Sequence, residues 1–181
     1  MLAAVALAAG GTALGLDLSS TGKPAATYGA LPSWLPRPTV RVGRVVVASA
    51  AHPWRAIQGD TVVVELPRGR VRATVAGPAV PEEGDFPIPA TTRCTFSVVL
   101  AARSGIVPLT STAFTVLDEN GRLHHPQVKV DGGGALPARL RAGRSLILTA
   151  VAMLPPGSGL FRWTPSGGKP VVSWDFDVEI D

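Results

Sequence analysis

Cysteine occurs once in this chain of 181 residues, at Cys94, and a single thiol excludes any disulfide within the chain. Cysteine pairs therefore say nothing about compartment, and a small buried apolar side chain is the expected role of Cys94. Lysine is nearly as scarce, with three residues against fourteen arginines, and charged residues of all kinds reach only 17%. The arginines are scattered and no basic block of five or six residues appears, so the clustered cations with interleaved aromatics that mark a nucleic-acid binder are missing. No nucleic-acid partner is expected, and the net charge of +4 reads as solvated surface.

Other absences narrow the chemistry. No G-x-S-x-G occurs, and the serines at 104, 111 and 158 fall in ordinary turns or strand starts, which leaves no strained nucleophile for a Ser-His-Asp site. No segment repeats at a fixed period, which excludes solenoids and propellers. Sustained helical periodicity is also lacking.

What remains is a chain with 46% apolar residues, enough to bury one real core but short for two domains. Twenty glycines and seventeen prolines fall between apolar runs, the punctuation of many short strands. Residues 1–16, MLAAVALAAGGTALGL, carry no charged side chain and resemble the apolar part of an export signal, with the basic part expected before it truncated, or a weak membrane anchor. Residues 17–38 are rich in Pro, Gly, Ser and Thr without a period and read as a tether, Trp34 included.

The domain is expected over residues 39–181. TVRVGRVVV (39–47) and TVVVEL (61–66) are β-branched runs separated by HPWRAIQGD, read as a loop. RVRATVA (70–76) and TRCTFSVVLA (92–101) alternate at period two, placing Val71, Ala73 and Val75, then Cys94, Phe96, Val98 and Leu100, on buried faces. The second of these is expected at the centre of a sheet. AFTVL (113–117), an Asp-Glu-Asn-Gly turn and a return strand from Leu123 to Val130 make a hairpin, because Asn120-Gly121 tolerates the backbone angles of a tight turn. SLILTAVAM and LFRWT follow, and VVSWDFDVEI turns Trp174, Phe176, Val178 and Ile180 inward. About eight evenly punctuated strands predict an all-β fold, a sandwich of two antiparallel sheets.

From about Gly59 to Trp174 the chain resembles the secreted immunoprotective antigen family of mycobacteria and related bacterial telokin-like extracellular domains. The resemblance rests on the serial order GDTVVVELPRGRVRATVAG, GDFPIPATTRCTFSVVLAARSGIVPLTSTAFTVLDENG and LPARLRAGRSLILTAVAMLPPG, with VPLTSTAFTVLDENG carrying most of the weight. It implies an exported immunoglobulin-like sandwich and brings no catalytic residues or cofactor with it. The segment from Thr39 to Ala48 and the Pro-rich tether are additional to the family pattern.

Candidate sites are few. His124-His125 is a candidate metal pair, but neighbours on a strand point to opposite faces, so both rings meet one ion only if Pro126 bends the chain, with His52 and Asp118 or Asp131 converging. Trp54 and Trp163 are free of any core assignment and are candidate contacts for a glycan. Glu82, Glu83 and Asp85 form an acidic loop rather than an acid-base pair. Asp175, Asp177 and Glu179 lie in line along one strand, too spread to wrap a calcium ion; if an early strand runs beside the last, Arg70 and Arg72 face them. The expectation is a non-enzymatic, exported module of the bacterial envelope. Its partner is another envelope or extracellular protein, and it contacts membrane only through residues 1–16. A ligand-binding module for glycan or metal is the alternative.

Overall fold

The structure is a computed structural model, and residues 45–80 and 89–179 of it are described. Expectations for residues 1–16, the tether 17–38, Thr39 to Arg44, the acidic loop with Glu82, Glu83 and Asp85, and Ile180 lie outside those residues.

Among the described residues twelve strands follow in chain order: β1 (Val47–Ser49), β2 (Trp54–Ile57), β3 (Thr61–Leu66), β4 (Gly69–Ala79), β5 (Thr92–Pro108), β6 (Phe114–Asp118), β7 (Leu123–His124), β8 (Gln127–Val130), β9 (Arg139–Arg141), β10 (Ser145–Leu154), β11 (Gly157–Trp163) and β12 (Val172–Val178). A seven-stranded sheet has the order β1-β3-β4-β5-β10-β8 with β9 attached to β5, and a five-stranded sheet the order β2-β12-β11-β6-β7. This is the two-layer β-sandwich expected from the alternation.

The space between the layers is filled by the residues that period two selects. Cys94, Phe96, Val98 and Leu100 of β5, Val71, Ala73 and Val75 of β4, and Trp174, Phe176 and Val178 of β12 are all buried. The Phe96 ring sits at the junction, 5.0 Å from that of Phe161 and edge-on to Phe176 at 4.9 Å. Each of the valine, leucine and phenylalanine side chains contributes roughly 1.5–3 kcal/mol through removal from water. β5 lies centrally, as expected, with β4 and β10 on either side.

Four features depart from the sequence reading. Neither sheet is purely antiparallel, because β1 runs parallel to β3 and β2 parallel to β12. β2 lies inside HPWRAIQGD, read as a loop; only Ala56 of it is buried, so no alternation marks it, and hydrogen bonding to β12 makes it a strand. The return strand from Leu123 to Val130 is broken at His125-Pro126. β7 pairs with β6 in one sheet while β8 pairs with β10 in the other, and the buried Pro126, which has no N–H to give a ladder, marks the crossing.

β5 also runs on to Pro108 instead of ending at Ala101. Past a bulge opposite Arg70, Gly105 takes a φ of +65°, and the strand continues into pairing with β9. A Cβ at Gly69, its partner across the ladder, would stand 2.6 Å from the Ser104 carbonyl oxygen. Glycine at both places is what lets the two backbones approach.

Candidate functional site

Polar groups with chemical potential gather at the end of the five-stranded sheet where β6 turns into β7. Asp118 ends β6 with its side chain 7% exposed, and its carboxylate accepts hydrogen bonds from the backbone N–H groups of Asn120 at 3.0 Å and Arg122 at 2.8 Å. The His124 ring, on the facing strand, donates from Nε2 to the second carboxylate oxygen at 2.8 Å. These donors hold the Asp118 carboxyl below the usual aspartate range, the His124 hydrogen bond first among them, against the opposing effect of burial. The sequence reading placed Asp118 in the hairpin turn and named it as a possible co-ligand of the histidines, without joining it to His124 as a structural pair. Its position four residues before Arg122 in an Asp-x-Asn-Gly turn, where carboxylates bond backbone N–H groups, is the signal that places it.

Beside this turn the outer face of the five-stranded sheet forms an open concavity of about 360 Å³, lined among others by Arg55, Leu117, Glu119, Leu160, Asp175 and Asp177. Arg55 of β2 donates from Nε to both oxygens of Asp175, at 2.7 and 2.8 Å, and Ser158 donates to Asp177 at 2.6 Å. The expected pairing of Arg70 and Arg72 with these carboxylates does not occur. β4 lies in the opposite sheet, where Arg70 pairs with Glu65, and the early strand beside the last is β2.

The other candidates separate. Trp54 is 47% exposed at the edge of the five-stranded sheet, but Trp163 is fully buried, stacked on Phe114 with a ring-centre distance of 6.0 Å. LFRWT is too short for its parity to be read alone, and Trp163 shares the inward face with Phe161. The two rings therefore offer no joint surface to a glycan. His125 is exposed and His52 lies in the β1–β2 connection, while His124 is engaged by Asp118; among the described residues no three His, Cys, Asp or Glu side chains converge as a metal site. No serine hydroxyl is hydrogen-bonded to an imidazole nitrogen among them either. Cys94 is buried, and burial pushes its thiol up to about 11.

A second concavity of about 430 Å³ lies at the β3–β4 turn, with Leu66, Pro67, Ile106, Pro108 and Ala138 beside Arg68 and Arg139. It has an apolar floor and two exposed cations at its rim.

No family profile matches the chain, and no curated protein matches it. Among solved structures, it is similar to a secreted protein of Mycobacterium tuberculosis, MPT63, at 13% identity and a TM-score of 0.47, over 70% of this chain and 100% of that one. It is also similar to a Bacillus subtilis chain described as a "putative lipoprotein", at 13% identity and a TM-score of 0.39, over 59% of this chain and 36% of that one. At these identities the relation is one of fold, and it carries no activity across.

Proposed function

We propose that the chain is a non-catalytic module exported to the bacterial cell envelope, working there by binding another envelope or extracellular protein through its surface. The observation that carries this reading is the use made of its reactive groups. Asp118 and His124 close a turn, Ser158 and Asp177 bond each other across β11 and β12, and the layer between the sheets is filled with apolar side chains. An enzyme needs a nucleophile, an acid or a base left available beside a substrate, and these groups are occupied by the fold. The uncharged apolar residues 1–16 support export.

The test has two parts. The full chain, carrying an epitope at its C-terminus, is expressed in a bacterial host, and protease is added to spheroplasts. Digestion of the epitope without lysis is expected, and protection until lysis overturns export. A photo-crosslinking residue placed at Trp54 or Ile106 is expected to give a discrete protein adduct on intact cells; absence of adducts from both positions overturns the binding role.

A further inference from the structure

Arginines scattered along the sequence meet on one surface once the strands are paired. On β4, β5, β10 and β8 the residues alternating with the core point away from it, and the ladder fixes their neighbours. Arg72 stands beside Ala101, Val99 beside Ile147, Thr149 beside Lys129, and Arg93 beside Met153. The result is a field of short side chains, Thr74, Ala76, Thr95, Ser97 and Thr149, with Val99 and Ile147 adjacent at its middle and 37% and 46% exposed. Arg72 borders it on one side, Lys129 on the other, Arg103 at one end, and Arg93 with the 54% exposed Met153 at the other. Strands about 4.8 Å apart make this surface roughly 15 Å wide across four strands.

Carboxylates are few there. Glu65 is taken by Arg70, and Asp131, which continues the β8 register opposite Ile147, is one carboxylate against Arg72, Arg93, Arg103 and Lys129. The concavity on the opposite sheet is acidic on balance, with Asp118, Glu119, Asp175 and Asp177 against Arg55. A molecule charged this way is turned by an anionic surface so that one chosen face meets it.

We propose that the outer face of the seven-stranded sheet docks on an anionic phospholipid bilayer, its cations on the phosphates and the Val99, Ile147 and Met153 tips in the headgroup layer. A small ligand needs a concave site, and the two concavities described above lie elsewhere on the molecule. Cations around exposed aliphatic side chains match a surface that offers anionic charge above hydrocarbon. This goes beyond the proposed binding role and does not depend on export.

The experiment uses the full chain and two kinds of vesicle, pure phosphatidylcholine and equal parts phosphatidylcholine and phosphatidylglycerol. Pure phosphatidylcholine reads whatever residues 1–16 contribute. Tighter binding to the phosphatidylglycerol vesicles is expected, weakening as salt screens the charges. Arg72→Gln, Arg93→Gln and Lys129→Gln together are expected to lower that binding about tenfold or more, since each cation near such a surface adds to it. A control with Arg122→Gln, Arg162→Gln and Lys169→Gln removes the same charge from elsewhere and is expected to keep most of the affinity. Fluorescence of the buried Trp163 and Trp174 reports whether each variant is folded. Equal losses in both variants, or no preference for phosphatidylglycerol, overturn the proposal. Binding to a DNA duplex with none to the vesicles also overturns it, and makes the partner a soluble phosphate polymer.

Discussion

Asp118 and His124 are joined at 2.8 Å across the β6–β7 ladder, the imidazole donating to a carboxylate that also accepts two backbone N–H groups of the intervening turn. One side chain thus satisfies the turn and fixes the strand that follows it. Asp118→Ala is expected to lower the melting temperature by several degrees, and His124→Ala by less, because the backbone bonds survive in the second variant. Thermal unfolding followed by circular dichroism orders the two; equal effects would show that the imidazole bond alone matters.

The same carboxylate makes stability depend on pH in a defined direction. Its folded-state pKa is depressed, so its contribution is complete above the unfolded aspartate value of about 4 and disappears as pH falls through the lower folded value. Denaturant melts below about pH 4 are expected to show a shallower loss of stability in Asp118→Asn than in the parent chain.

Gly105 combines a positive φ with a neighbour where a Cβ would go. Alanine there would collide with the Arg68 carbonyl oxygen and stand 2.8 Å from Gly69 Cα. Gly105→Ala is expected to cost at least about 2 kcal/mol, since overpacking and backbone strain act together. Gly121→Ala has open space at its Cβ, with strain from its positive φ alone, and is expected to cost less in the same urea titration.

Trp163 and Trp174 are both buried, but only Trp174 has a partner for its indole, donating to the Asp60 carbonyl at 3.1 Å. The Trp163 N–H has none among the described residues. Trp163→Phe removes an unmet donor along with some packing, whereas Trp174→Phe loses packing and a bond. The first is expected to be milder by about 1 kcal/mol, measured by urea unfolding.

Cys94 is expected to resist thiol reagents at pH 8 in the folded protein and to react once urea unfolds it, because burial keeps the thiol protonated until about pH 11. Fast native labelling would mean that the β5 region opens readily.

Where alternation ran long, the sequence was a sufficient guide. The faces of β4, β5 and β12 are the expected ones, since a shift of one residue would turn Arg72, Arg93 or Asp175 into the core. What escaped notice was short or collective. β2 has one inward residue and no period to display. Trp163 lies in a run too brief to reveal its side. The cationic face exists only after Arg72, Arg93 and Lys129, from three separate strands, are laid side by side; scatter along the chain is no measure of scatter in space. Breaking the return strand at Pro126 is legible afterwards, because a residue without an N–H is a poor middle member of a ladder.

β1 and β2 are consecutive, and each ends a different sheet, with only residues 50–53 passing from one layer to the other. A fragment starting at Gly59 would therefore strip both layers at once, baring β3 and β12. Two raw rims would then be available to recruit strands from other molecules, so such a fragment is expected to clump rather than simply loosen.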